Sequence, residues 1–411
     1  MKILLIDVNC KKSSTGKIVY DLYTEFSNMG YTAAICFGRG PMVNEPNIYK
    51  HNNIFGVCMH ALRTRLTGYV GHGSKLATKR LIKYINNFGP DIVHLHTIHG
   101  YHVDMYALLS FLKDKRIKVV YTLHDECTQT GKCGHAYNCH KWLDKCDKCP
   151  QLREYPKSLW FDQTNKEFTL KKNIFQDFQQ IIFVPVSHWL CELSKKSIIL
   201  KGQQFSVIHN GIDTSSFQPM SVERLRKKYS ITNEKVLIFV TPNFDDKYKG
   251  GNYLIDLASR LLDENIKIFI IGNKKPIKNI LPNIIAIGRI ENKKELAEYY
   301  SFGDLFVITS YMETFPTVCI ESLCCGTPIV GFDRGGIKET ATEGCGVFVP
   351  FGDVDSLTEV IKKIFNGGIM LKPKNECAKI SKKIYDKAYM ARNYLTIYEE
   401  LNNNFQSRGV L

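Results

Sequence analysis

The feature that most constrains this chain is a pattern that runs once and then starts again. Short apolar, β-branched runs alternate with longer stretches of helical periodicity: KILLID (2–7), TAAICFG (32–38), DIVHLH (91–96), KVVYTLH (118–124) and IIFVPVS (181–187), with FSVIHNG (205–211) following. A second series then opens: KVLIFV (235–240), KIFIIG (267–272), IIAIG (284–288), LFVITS (305–310) and PIVGFD (328–333). Near-continuous apolar strands separated by helices predict parallel sheets covered on both faces. The restart predicts two doubly wound α/β domains, and a length of 411 residues is more than one ordinary core serves. Between the series, NGIDTSSFQP (210–219) supplies turn residues and a proline, a hinge. The chain closes with DKAYMARNYLTIYEELNNN, an amphipathic helix with Tyr389, Tyr394, Leu395, Tyr398 and Leu401 at helical spacing. Ligands bind beyond the carboxyl ends of such strands, so two facing domains would bring their loops to one shared cleft.

An apolar fraction of 44% with 23% charged residues suits a folded globular protein. The opening MKILLIDVNC reads as a first buried strand, because its apolar run is too short for a secretory segment. No run elsewhere approaches the roughly 18–20 residues of a membrane span. The expectation is a cytoplasmic chain with reduced thiols, in which Cys10, Cys36, Cys58, Cys191, Cys319, Cys324, Cys325, Cys345 and Cys377 are small apolar residues.

The net charge is +15 and unevenly spread: residues 1–200 hold 27 Lys/Arg against 16 Asp/Glu, residues 201–411 hold 28 against 24. Within MHALRTRLTGYVGHGSKLATKRLIKYI (59–85), Leu62, Leu66, Leu76, Leu81, Ile82 and Ile85 alternate with Arg63, Arg65, Lys75, Lys79, Arg80 and Lys83. Basic faces with apolar flanks suit an anionic bilayer surface, and a solvated helix pair is the alternative. A nucleic-acid partner is not expected: the chain has no helix-turn-helix signature and no aromatic pair on a basic strand.

HDECTQTGKCGHAYNCHKWLDKCDKCP (124–150) follows the strand KVVYTLH and holds five of the fourteen cysteines. Cys133, Cys139, Cys146 and Cys149 run as C-x5-C-x6-C-x2-C, and the closing C-x2-C is a common half-site for tetrahedral zinc. Structural zinc, packed reduced thiols and disulfide or redox chemistry all remain open, with Cys127 outside the set. His94 and His96 share one strand face, which reads as structural, while His99 lies beyond the strand, in the loop.

The segment SYMETFPTVCIESLCCGTPIVGFDRGGIKET (310–340) sets Glu313 and Glu321 about a loop that enters a helix, then a buried strand and the turn Gly335-Gly336. A helix N-terminus suits a nucleotide diphosphate, and carboxylates beside it can accept hydrogen bonds from ribose and sugar hydroxyls. This stretch resembles the donor-binding signature of glycosyltransferase family 4, retaining enzymes of the GT-B fold. SSTGKIVYDL (13–22) is similar to the family's N-terminal glycine loop, HNGID (209–213) to its interdomain motif, KG (249–250) to its phosphate-contacting lysine turn, and the last helix to the one that crosses back to the N-domain. HLHTIHGY and the cysteine-bearing insertion after TLHD resemble transferases that build capsular and other surface polysaccharides.

The resemblance implies two Rossmann-like domains. Residues 1–213, completed by the helix 388–411 and carrying the Cys-rich insertion 127–150, would bind the acceptor; residues 214–387 would bind the donor. Glu313 would hold sugar hydroxyls, Glu321 the ribose, and Lys249 the departing diphosphate. His124 would contact the transferred sugar or its phosphate, and Gly16 would let backbone approach the donor. Arg289, Thr314, Phe315 and Thr317 would complete the donor site. The family's usual arginine ahead of the lysine is absent from VTPNFDDKYKGG, and Lys247 is the residue placed to stand in. The implied substrates are a UDP- or GDP-sugar and a lipid-linked oligosaccharide, at the inner face of the cell membrane. No catalytic divalent metal and no covalent nucleophile is expected. Two rivals are a nucleotide-sugar epimerase or hydrolase on the same fold, and a zinc-bearing nucleic-acid-binding protein.

Overall fold

The computed structural model describes residues 1–406 apart from 274, 278 and 279. The chain divides into two compact units, one of residues 1–209 with the chain from Met390 on, the other Asn210–Tyr389. Residues 407–411 of the expected final segment lie outside the described residues.

In the first unit seven strands, β1 (Lys2–Asp7), β2 (Thr32–Phe37), β3 (Ile48–Lys50), β4 (Ile92–Leu95), β5 (Lys118–Leu123), β6 (Ile181–Pro185) and β7 (Gln204–Phe205), form one sheet of order 3-2-1-4-5-6-7. Every pairing is parallel. β4 and β6 are buried along their whole length, as the near-continuous apolar runs require. The C-terminal helix Lys387–Gln406 supplies Met390, Tyr394, Tyr398 and Leu401 to this unit's core, against Phe26 and the β1–β2 face.

The second unit has six strands, β8 (Lys235–Val240), β9 (Ile266–Ile271), β10 (Ile284–Ile287), β11 (Leu305–Ile308), β12 (Ile329–Asp333) and β13 (Gly346–Pro350), in the order 10-9-8-11-12-13, again all parallel. Both sheets reverse direction of growth at their centres, between β1 and β4 and between β8 and β11. The loops leaving those strands are where a doubly wound sheet presents a ligand crevice.

The differences from expectation lie at the sheet margins. β3 and β13 are extra. β3 is three half-buried residues at one edge, and β13 mixes Gly and Pro with its apolar residues. FSVIHNG holds only the end of the two-residue β7. The chain beyond it follows β6 through Ser206 N–H to the Phe183 carbonyl (3.0 Å) and Ile208 N–H to the Pro185 carbonyl (3.3 Å), without continuing as strand.

Candidate active site

In the second unit the loop after β8 makes a tight turn, Lys249 N–H to the Asp246 carbonyl at 2.9 Å, into the helix Gly251–Arg260. Gly250 makes that entry possible. Its φ is +74°, and a Cβ there would lie 1.9 Å from the Thr309 carbonyl oxygen. The loop after β11 carries Glu313, whose carbonyl accepts from Gly336 N–H at 2.8 Å. Gly335, at φ +68°, passes so close that a Cβ would sit 2.2 Å from that same carbonyl. Two glycine contacts thus fix the backbones on either side of the site. Between them Lys249 Nζ donates to Glu313 Oε1 at 2.7 Å, both side chains partly exposed. Burial pulls the Lys249 ammonium down, but Glu313 outweighs it and the net shift is upward, so the lysine is charged.

The helix Thr317–Cys324 opens after Pro316 with no side-chain cap, and Thr317 stands at its first position. Glu321, on this helix, accepts from the buried Tyr300 hydroxyl at 2.8 Å through Oε2. Burial, reinforced by Glu321, keeps that phenol protonated and therefore a donor. Phe315 is buried against Tyr385, ring centroids 5.9 Å apart, and Thr314 beside it is half-buried. Lys247 is exposed and lies over the Tyr248 ring at 4.7 Å. Arg289 follows the edge strand β10, is exposed, and pairs with Glu291 at 3.3 Å.

In the first unit the corresponding loops leave β1, β4 and β5. Asp7, fully buried at the end of β1, accepts from Thr97 N–H (3.0 Å), Asn9 N–H (3.2 Å) and the Thr15 hydroxyl (3.1 Å), tying two of these loops together. Gly16 lies in the helix Ser13–Asn28, where a Cβ would come within 3.1 Å of the Asn9 backbone. His94 is held by Tyr398 (2.6 Å) and Thr122 (2.7 Å), a structural role. His96 joins His124, Nδ1 to Nε2 at 3.0 Å, with the rings stacked. Burial holds His124 down at about 4 and His96 well below the ordinary histidine value, so both are neutral near pH 7.

His99 behaves in the opposite way. Burial disfavours its charge, but Asp125 and then Cys127 prevail and raise it well above the ordinary histidine value. His99 Nε2 is 2.8 Å from Asp125 Oδ2. Asp125 in turn is held at about 2, His99 overriding the cost of burial. Burial raises the Cys127 thiol, but His99 and Lys171 bring it below its usual value. The ligand atoms of His99, Asp125 and Cys127 lie within 4.8 Å of one another, the one such group among the described residues with donor chemistry for a metal. Asp125 and Cys127 were not singled out from the sequence as site residues. The available signal was their adjacency to His124 at a strand end.

The structure therefore brings Lys249 to Glu313, and His99 and His124 to the loops after β4 and β5. The four cysteines 133, 139, 146 and 149 line one small cavity together with Trp142.

Two doubly wound parallel sheets, each presenting polar side chains at its switch point, define a two-domain α/β architecture with a crevice at the strand ends of each sheet. Comparison with known proteins narrows this. Residues 15–216 match the family described as Glycosyltransferase Family 4, and residues 221–386 match Glycosyl transferases group 1. The chain belongs to the family 4 glycosyltransferases and has the GT-B fold. It is similar to the putative colanic acid biosynthesis glycosyl transferase WcaC of Escherichia coli K12, with 22% identity over 98% of this chain and 100% of WcaC. Among solved structures it resembles sucrose-phosphate synthase from Thermosynechococcus elongatus (TM-score 0.69, 16% identity, 98% and 99% of the two chains). It also resembles Anabaena Alr3699/HepE, solved in complex with UDP (TM-score 0.65, 16% identity, 97% and 100% of the two chains).

Proposed function

We propose that this glycosyltransferase moves a sugar from a UDP- or GDP-sugar to a growing, lipid-linked surface polysaccharide, with retention at the anomeric carbon. The Lys249–Glu313 pair at the switch point of the second sheet carries the reading. Lys249 is charged and partly exposed, so a diphosphate can draw it away from Glu313 and receive stabilisation of its developing charge. Glu313 then holds sugar hydroxyls, while Glu321, oriented by Tyr300, accepts from the ribose. Departure of the diphosphate on the face that the acceptor attacks needs no covalent nucleophile. On the first unit, neutral His124 contacts the transferred group and His99 stands on the acceptor side. UDP bound to HepE and the similarity to WcaC, a putative colanic acid biosynthesis glycosyl transferase, support this donor and acceptor class.

Calorimetric titration with UDP, GDP and their sugars tests the reading directly. Glu321→Ala should weaken nucleotide binding by about 1.5–3 kcal/mol, the worth of a hydrogen bond to a charged group. Glu313→Ala should lower turnover more than affinity for the bare nucleotide. Unchanged nucleotide affinity in Glu321→Ala removes the ribose assignment, and weak UDP and GDP binding in Glu313→Ala would exchange the two roles.

A second part of the proposal is attachment to an anionic membrane surface. No helix among the described residues is long and apolar enough to cross a membrane. The helix Ile54–Thr67, however, exposes Phe55, Met59, Leu62 and Leu66, a stripe at i, i+4, i+7 and i+11, and Ile54 and Leu76 are 76% and 70% exposed. Arg63, Lys75 and Arg80 line the groove beside this stripe. In the next helix, Lys75–Phe88, Leu81 and Ile85 serve the core, so the apolar part of the surface is mainly the earlier helix, with Leu76 beside it. Apolar side chains rimmed by cations fit an anionic bilayer. Phe55→Ser with Leu62→Ser should reduce binding to phosphatidylserine vesicles by about a hundredfold or more, each burial being worth roughly 1.5–3 kcal/mol. Lys79→Glu with Arg80→Glu should reduce it by about 1 kcal/mol per charge. Equal vesicle sedimentation of all three proteins would rule this surface out.

A further inference from the structure

The function proposed above leaves the cysteine-bearing loop unused. Between β5 and the helix Thr164–Phe175, regular structure is limited to a single 3₁₀ turn, Lys141–Leu143. From 133 to 149 the buried apolar side chains are Ala136 and Trp142. The segment is tied to the chain that leaves β5. Glu126 N–H donates to the Gly134 carbonyl at 2.8 Å, Ala136 N–H to Glu126 Oε2 at 3.2 Å, and the Thr130 hydroxyl to the Cys133 carbonyl at 2.8 Å. Whatever orders residues 133–149 therefore acts on the backbone beside Asp125.

The cysteine spacing suggests one ion on four thiolates, and the structure does not fit it. Among the described residues the one group of three converging metal donors is His99, Asp125 and Cys127; no three of the sulfurs of Cys133, Cys139, Cys146 and Cys149 come together. Two of them do. All four line one cavity of about 20 Å³ and are unbridged. The thiols of Cys133 and Cys149 are in hydrogen-bond contact, with fifteen residues of chain between them.

That contact has a direction. Cys149 Sγ accepts from the Cys133 thiol and from the Gln151 N–H. The Cys133 thiol first, and the Gln151 amide after it, outweigh burial and bring Cys149 below the usual thiol value. The same bond, with burial, raises Cys133. One sulfur is thus set as a thiolate and its neighbour as the thiol that carries the proton. Both are partly exposed. The other candidates each lack something. Cys146, in the same cavity, accepts from Gly131 N–H at 3.2 Å, but burial raises it to about 11. Cys127 is lowered too, but it is only 2% exposed.

We propose that Cys133 and Cys149 are a redox-active pair that hydrogen peroxide converts to a reversible disulfide, closing residues 133–149 into a ring and ordering the loop after β5. The Cys149 thiolate attacks one peroxide oxygen: the O–O bond breaks, a sulfenic acid forms on Cys149 and hydroxide leaves. The Cys133 sulfur then attacks that sulfur. The S–S bond forms, the S–O bond breaks, and the Cys133 proton departs with the oxygen as water. Two thiols lose two electrons, and the peroxide becomes two waters once hydroxide takes up the proton that Cys149 had shed. Closing such a ring restricts the open states of a segment that has two buried apolar side chains to hold it.

The test uses the full-length protein, reduced, freed of reductant and treated with a few equivalents of hydrogen peroxide. The intact mass should fall by two hydrogens, peptide mapping should place the bridge between Cys133 and Cys149, and dithiothreitol should restore both thiols. Protease cleavage between 134 and 148 should slow by about tenfold or more in the oxidised protein. Cys149→Ser should form no bridge, Cys133→Ser should stop at a sulfenic acid on Cys149 that dimedone captures, and Cys146→Ser should still form the bridge. Should the serine variants fold poorly, the wild-type protein provides an independent readout: at pH 7 iodoacetamide should label Cys149 ahead of Cys146. A bridge mapped to Cys139 and Cys146, oxidation of the exposed Cys58 before Cys149, equal labelling of Cys146 and Cys149, a bridge that leaves cleavage unchanged, or four thiols locked by one bound zinc ion would each overturn the pair. Failure of the donor-binding titrations would leave these outcomes untouched, since none of them depends on activity.

Discussion

Lys249→Ala is expected to lower turnover by about 10²–10³-fold, the usual cost of deleting one group aimed at developing charge. The variant loses the cation that pairs with Glu313 at 2.7 Å. It also leaves the Glu313 carboxylate beside an incoming diphosphate with nothing to offset the repulsion. Stability should change little, because the turn is fixed by Gly250 against Thr309 and by backbone hydrogen bonds rather than by the lysine side chain. Lys249→Arg should recover part of the rate, since charge returns with a different, forked geometry. Lys247→Ala should cost far less, as that side chain is exposed over the Tyr248 ring. Single-turnover rates with a saturating nucleotide sugar measure this. A Lys249→Ala rate within about threefold of wild type would remove the lysine from the phosphate site and, with it, the main support for the proposed chemistry.

The sheet centres were legible because a strand buried on both faces must be apolar throughout; β1, β4, β5, β6, β8 and β11 all announce themselves in this way. The edges were not. β3 is half-buried, and β13 carries Gly and Pro, so neither has the uninterrupted apolar run that marks a central strand. Glu313 and Lys249 could be paired in advance only through family resemblance, since 64 residues separate them and no local spacing encodes their contact. Tyr300 as the partner of Glu321 is likewise a product of helix packing. The basic window 59–85 illustrates a different limit. Its composition suggested a membrane-facing surface, yet periodicity could not tell which apolar residues the core would take. The structure assigns Leu81 and Ile85 to the core and leaves Leu62, Leu66 and Leu76 exposed. Cys127 stands outside the spaced cysteine set, and no local spacing encodes its approach to His99, 28 positions away on the loop after a neighbouring strand.

Acid should unfold the first unit well before the second. All twelve histidines of the chain fall within residues 1–209, and the second unit has none. Six of them are held neutral by burial: His51 near 3, His60 and His124 near 4, and His94, His96 and His102 well below the usual value. Their rings are buried, so a second proton would place a positive charge out of reach of water. The unfolded chain binds those protons near pH 6.5, so between that value and about 4 it takes up protons that the native state refuses. Stability then falls with pH by up to about 1.4 kcal/mol per unit for each such group. At pH 5 the six together approach roughly 12 kcal/mol as an upper bound, comparable to the whole stability of a domain. His99 does not offset this. Its raised value makes its contribution complete below about 6.5 and lost only as pH climbs through its own, higher folded value. The three tryptophans, Trp142, Trp160 and Trp189, also lie in the first unit, so their fluorescence in urea reports it alone. The midpoint should drop steeply from pH 7 to pH 5, while hydrogen exchange in β8, β9 and β11 stays slow. His94→Gln, which retains a donor and an acceptor, should flatten the dependence by about one proton. A tryptophan midpoint unchanged across this range would mean that these histidines are charged or solvated in the native chain, contrary to their burial.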